Sequence, residues 1–357
     1  PQYSYTNTVL NIQQDGGMCT AITSCTFYNV TSRSYATLGS LQGSHVVYNK
    51  VTIYNGENGE NGKTENIFSV GSQNTMGVPF APPKNNDYKA GLLLSSIDYK
   101  NSSGQFIPLK EINNTYKFND LAGDPNQKVT KGLKVQSRQS GISCGVPAME
   151  STYYVAYYDV VSEWYYKKSS TEINYDMDGL NPILKTEDYF YDNPAHMHLT
   201  KEVTNNSDGT ENITEIKYPQ DYNLSVSSSL PEIDALKAMG NPAYSGAGGF
   251  KHMTGVPIEK IEKKLINGNE FVTGGSFTVF NKFSSQNFIL PKKVYSLQTS
   301  APILSSSFTP TSTLSTGFTL DSHYKPELNY DLYDTHGNLL SYHKENDIQN
   351  SFEWDYN

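Results

Sequence analysis

The sequence predicts a mainly β fold with one short helix, and three observations carry that prediction. Of 357 residues, 27 are Tyr and 27 are Gly, while charged residues make up only 18%. Aromatic and β-branched side chains suit a pleated, half-buried surface, and Gly, Asn and Asp supply its tight turns. Apolar and polar residues alternate with period two over many short segments broken by Asn-Gly or Asp-Gly pairs. Finally, the aromatic-Asp pair Tyr333-Asp334 recurs 21 positions later as Trp354-Asp355. With Gly337-Asn338 between them, this is the period of a tandem strand-turn-strand repeat.

Residues 1–145 read as a β-sandwich-like domain of short strands. In 46–54, Val47, Val51 and Ile53 alternate with Tyr48, Lys50 and Thr52, the pattern of a half-buried strand. The run from Asn55 through Asn58 to Gly62 contains three Asn-Gly steps that favour positive φ, and a second strand is expected over 64–70. Together they predict a hairpin with a long polar tip. Segment 91–100 fits a strand or a short helix, and strands are expected over 106–109, 114–118 and 131–138.

Residues 146–310 read as a β-rich hairpin domain. Segments 153–158 and 162–173 alternate aromatic and polar residues and are expected to pair. Residues 174–179 form a turn, followed by strands over 182–191, 198–204 and 211–218, the last two joined by the loop 205–209. A helix is expected over 231–239: Pro231 stands in its first turn, Glu232 and Asp234 near its start, Lys237 near its end, and Gly240 just past it. Ile233, Leu236 and Met239 share the face that should dock on a sheet. Strands over 256–265 and 270–283 flank Asn267-Gly268, Gly274-Gly275 marks a bulge, and a strand is expected over 290–297. Residues 311–357 read as a linker, continuing the Ser/Thr-rich stretch 305–316, and the start of the repeat, with strands over 330–333 and 338–342.

Several function classes are disfavoured by composition. A net charge of -9 without a basic run argues against nucleic acid. No apolar stretch approaches the roughly 20 residues that span a bilayer, so no direct membrane insertion is expected. The chain opens on Pro1 without an initiator Met or signal peptide, and it stops as the repeat begins, so sequence is expected on both sides. Cys19 and Cys25, six residues apart, are a candidate small-loop disulfide of an oxidising compartment, with Cys144 left over. No Cys-x-x-Cys accompanies them, which argues against zinc.

Candidate chemistry is sparse. Gly141-Ile142-Ser143-Cys144-Gly145 matches the nucleophile-elbow pattern. Val146-Pro147 nevertheless follows where that motif needs a helix, so the chain is read as no enzyme, without catalytic residues. Asp192, His196 and His198 are the best metal-like cluster, yet no third His or Cys stands beside them. Asp176, Asp178 and Asn181 offer oxygen ligands in an order that breaks the calcium-loop pattern. Neither metal nor cofactor is therefore expected. Trp164 and Tyr165, with neighbouring tyrosines, form a candidate sugar-stacking surface; adjacent strand residues, however, point to opposite faces and split such a run between core and surface.

At Tyr333-Asp334-x-x-Gly337-Asn338-Leu339-Leu340, followed by Trp354-Asp355, the chain resembles the YD-repeat, or RHS-like, family. Gly43-Ser44-His45-Val46-Val47-Tyr48, Gly255-Val256-Pro257-Ile258-Glu259 and Ile289-Leu290-Pro291-Lys292-Lys293-Val294-Tyr295 resemble the region preceding such repeats in large surface proteins of Bacteroidota. The repeat proper covers only residues 330–357, and Trp354 stands where the pattern has Tyr. The resemblance implies long β-sheets wound into a shell, often around a C-terminal toxin or effector. It implies a non-catalytic scaffold at the cell surface or outer membrane, whose partners are the rest of its own chain and a protein at that surface. The alternative is a ligand- or glycan-binding adhesin module using Trp164, Tyr165 and the tip at Asn58.

Overall fold

In the computed structural model, residues 3–15, 18–31, 47–71, 81, 87–118, 127–137, 153–283 and 288–355 are described. The architecture is mainly β, with large antiparallel pairing and one α-helix among the described residues. The chain divides into two compact units: 1–167 with 177–179, and 168–176 with 180–357. The boundary expected at 145/146 lies outside the described residues.

In the first unit, β1 (Tyr3–Asp15) and β2 (Met18–Thr31) form an antiparallel hairpin. Cys19 and Cys25 both lie on β2, where six extended positions span roughly 20 Å, far beyond the Cα separation a disulfide bridges. The small loop that such a bridge would close is instead continuous strand.

Strands β3 (Lys50–Tyr54), β4 (Lys63–Phe68), β5 (Leu93–Ser102) and β6 (Gln105–Phe118) form a meander. The segment that fitted either strand or helix is thus strand β5. Strand β7 (Gln127–Ser137) pairs with β8 (Tyr153–Glu163), and β9 (Tyr165–Asn174) follows β8 after Trp164 alone. The pairing expected between the two aromatic segments is therefore not made. One residue cannot reverse a chain, so β8 takes β7 as its partner and β9 pairs with β10.

The second unit is a longer antiparallel meander. After β9 come β10 (Ile183–Phe190), β11 (Lys201–Asn205), β12 (Glu211–Lys217), β13 (Glu259–Ile266), β14 (Asn269–Phe283) and β15 (Phe288–Leu297), each paired with the next. Asn267 and Gly268 turn β13 into β14 with φ of 50° and 75°, the positive pair a two-residue hairpin needs. The bulge expected at Gly274-Gly275 falls beside them: Glu262 pairs with Gly274 and Lys263 with Val272, so Thr273 is the extra residue.

The stretch read as a linker is instead structured. It holds β16 (Ile303–Leu304), which pairs with β14, a 3-10 turn at Ser305–Ser307, and the small hairpin of β17 (Ser312–Leu314) with β18 (Gly317–Thr319). Strand β19 (Tyr324–Tyr333) then returns to pair with β15, followed by β20 (Leu339–Lys344) and β21 (Asn350–Ser351).

The core sits where α1 (Pro231–Gly240) lies on β14. Ala235, Leu236, Ala238 and Met239 pack into one cluster with Ile258, Ile261, Val272 and Phe277. The helix begins and ends as its local chemistry dictates, with Pro231 at its first turn and the Asn241 N–H closing on Lys237 O at 2.8 Å.

Within this core lies a carboxylate. Glu259, 1% exposed, shares the inward phase of β13 with Ile261. It accepts from Lys217 Nζ at 2.8 Å, Tyr324 Oη at 2.9 Å, Tyr222 Oη at 3.5 Å and Thr311 Oγ1. Gly275 makes room for this arrangement: a Cβ there would come within 3.1 Å of the Tyr324 hydroxyl. Removing the carboxylate leaves three hydroxyls without this acceptor and the Lys217 ammonium without its counter-charge, with the Thr311 carbonyl at 3.2 Å as its remaining partner. Glu259→Ala is therefore expected to cost about 3–5 kcal/mol, read as a lowered urea midpoint at unchanged slope.

Candidate functional site: an aspartate-closed hairpin turn

The turn between β19 and β20 contains the repeat residues. The Asp334 N–H donates to Asn338 O at 2.9 Å, and the Gly337 N–H donates to Asp334 O at 3.2 Å. Inside this frame Asp334 Oδ1 accepts from the backbone amides of His336 and Asn338, each at 2.8 Å. Oδ2 accepts from Asn338 Nδ2 at 3.1 Å. Gly337 takes φ of 89°, which supplies the reversal, while Asn338 contributes its backbone and side-chain amides to the Asp334 carboxylate.

The Tyr333 ring lies against Tyr330, at 6.4 Å, and edge-on to Phe283, at 4.9 Å. Its hydroxyl donates to Pro291 O at 2.6 Å, and burial pushes this phenol well above its ordinary range. Trp354, 48% exposed, donates its indole N–H to Leu339 O at 2.8 Å, tying the segment after β21 back to the start of β20. Asp355 beside it is exposed.

The same turn occurs earlier, between β9 and β10, at Tyr175-Asp176-Met177-Asp178-Gly179-Leu180. Asp176 N–H donates to Leu180 O at 2.9 Å, and Asp176 Oδ1 accepts from Leu180 N–H at 2.8 Å. Oδ2 accepts from Asn181 Nδ2 at 2.6 Å, and Gly179 has φ of 74°. Sequence reading weighed Asp176 and Asn181 as calcium ligands; here the carboxylate is an acceptor for its own loop. The signal was available, because aromatic-Asp-x-x-Gly is literally present at 175–179. A third loop, between β11 and β12, copies only the backbone: Asn206 N–H donates to Thr210 O at 2.9 Å, with Gly209 at φ of 79°.

The remaining candidates are dispersed. His196 and His198 meet each other and Tyr218, together with Asp221, which sequence reading missed; Asp192 accepts instead from Thr200 Oγ1 at 3.5 Å. Trp164 packs on Tyr166 at 4.7 Å, whereas Tyr165 stacks on Phe118 and Tyr88 at 5.5 and 6.1 Å, so the aromatic run divides between two ring groups. At the tip, Glu60 accepts from the amides of Asn58, at 3.0 Å, and Glu57, at 3.2 Å. Those backbone bonds, led by that of Asn58, hold the Glu60 carboxyl below its ordinary range. Ser143 and Cys144 lie outside the described residues.

No family model matches this sequence, and no curated protein matches it. Among solved structures, a chain of the Photorhabdus luminescens Tc holotoxin pore is similar over 82% of this chain, with a TM-score of 0.36 and 9% identity. The chain covers 17% of that protein's length.

The two Asp turns make the same demand on side chain and backbone. Asp334→Ala and Asp176→Ala are each expected to cost about 1–3 kcal/mol in chemical denaturation, the range for losing bonds to a charged acceptor. Gly337→Ala is expected to cost about 1–2 kcal/mol, the penalty of a left-handed conformation with a Cβ.

Proposed function

We propose that this chain is a non-catalytic structural scaffold, the β-rich forepart of an RHS-like protein whose sheet is built hairpin by hairpin. The observation that carries the reading is the recurrence of an aspartate-closed turn at Asp176 and Asp334, each carboxylate accepting from the backbone amide four residues on and from a nearby Asn side chain, with a positive-φ Gly at the same offset. A carboxylate committed to the amides of its own loop sets strand geometry and is not poised for proton transfer. No described helix is long and apolar enough to cross a membrane. In this reading the chain works at the cell surface or after secretion. Its contacts are further hairpins of its parent chain and a protein partner, at the outer membrane or enclosed as an effector.

The inward stacking of Tyr165 and the self-capped tip at Asn58 favour the scaffold over a glycan-binding module. A glycan array probed with the purified chain is expected to show no saturable binding. Specific binding lost in Trp164→Ala or Tyr165→Ala would move the assignment to an adhesin. An esterase activity abolished by Ser143→Ala would overturn the non-catalytic assignment. Protease treatment of intact cells expressing the full-length protein should release peptides of this chain, and their retention would contradict a surface location.

A further inference from the structure

The connection between β10 and β11 contains a side-chain group that neither the turns nor the core uses. His196 is buried, and its ring lies nearly parallel to that of His198, with 5.3 Å between centroids and 12° between planes. Tyr218 packs on both rings, at 4.8 and 5.0 Å. The backbone N–H of His198 donates to His196 Nδ1 at 2.9 Å. That bond fixes the tautomer: the ring proton of His196 sits on Nε2, 3.3 Å from Asp221 Oδ2. Asp221 also accepts from the Tyr218 N–H and from Asn193 Nδ2, both at 2.7 Å. The Nε2 atom of His198 is buried without a hydrogen-bond partner, and a Cβ on Gly255 would come within 3.1 Å of it. Between the two histidines Met197 is held at φ of 55°, a conformation that a non-Gly residue adopts only under constraint.

We propose that the His196–His198 stack is an acid-sensitive clasp that holds the β10–β11 connection against Tyr218 and releases it on acidification. A proton added to His196 must go to Nδ1, where it removes the acceptor of the His198 N–H. A proton added to His198 places a cation beside a second imidazole, where Nε2 has no hydrogen-bond partner among the described residues. The ionisable groups against the pair are Asp221 and Tyr218 from the segment after β12, while Asp192, on the connection itself, bonds Thr200; the loop before β13 presents the backbone of Gly255. Among the described residues Asp221 is the carboxylate in contact with the stack, and it faces His196.

Burial first, and then the neighbouring His196, hold the His198 imidazole below its ordinary range. For such a group the unfolded or opened state takes up the proton first. Its contribution to stability is present above the ordinary imidazole value, about 6.5, and is lost as the pH falls below it. The sign is thus loosening with acid.

The test is amide exchange across residues 192–200 at about pH 7.5 and about pH 5.5, corrected for intrinsic rates, which brackets the ordinary imidazole range. Protection of Met197 and His198 is expected to fall severalfold, up to about tenfold, at the lower pH, with little change at Asp334 and its turn. In His198→Gln, a polar variant that does not titrate, the acid response should be clearly reduced. Equal protection of the wild type at both values, or an undiminished response in His198→Gln, would overturn the clasp. Should His198→Gln fail to fold, the wild-type imidazole C–H resonances decide: titration of His198 below the ordinary value supports the proposal, and titration at or above it refutes it.

Discussion

A single buried charge organises the second unit. A carboxylate in a dry interior is tolerated only when its lone pairs are filled, and Glu259 fills them from four segments distant in sequence. Lys217 ends β12, Tyr222 follows it, Thr311 belongs to the Ser/Thr-rich strap, and Tyr324 opens β19. Burial raises the phenols of Tyr222 and Tyr324, so both remain hydroxyl donors across the physiological range. The outcome is a fixed topology. With Thr311 and Tyr324 bound to the same carboxylate, the strap is drawn over the core and β19 enters beside β15, past the three short strands between them.

The Asp turns solve the opposite problem. The carboxylate and the amides it accepts from lie within five residues of each other, so these bonds are local to the loop. One network selects which strands meet; the other sets where each strand reverses. Phe277, fully buried on β14, is ringed by Phe318, Tyr295 and Tyr324 at 5.0 to 6.4 Å, the last of these also a partner of Glu259.

This division explains what could be read in the sequence. The β class, α1 and the Asn267-Gly268 hairpin depend on neighbours a few positions away, and each was legible. Glu259 was not, because Glu-Lys-Ile-Glu-Lys-Lys reads as a charged, solvated strand until its phase with Ile261 is noticed, and its partners lie 37 to 65 residues away. For the same reason a Ser/Thr-rich composition suggested a linker where Thr311 and Thr313 are buried. The aromatic segments misled differently: their alternation identified strands but could not say that β8 would choose β7. His196 was noticed as one of a pair, while Asp221, the residue that gives it an orientation, lies 25 positions on.

The closed hydrogen bonding of the Asp turn also bears on how such a sheet can change length. A hairpin bearing one carries its reversal with it, because the Asp carboxylate, the amides it accepts from and the positive-φ Gly travel together within one turn. In an antiparallel sheet, removing two strands leaves every later strand running in its original direction with its side chains on their original faces, whereas removing one reverses them all. A chain assembled this way therefore counts in even numbers, and duplication or deletion in evolution would be tolerated only with that parity kept.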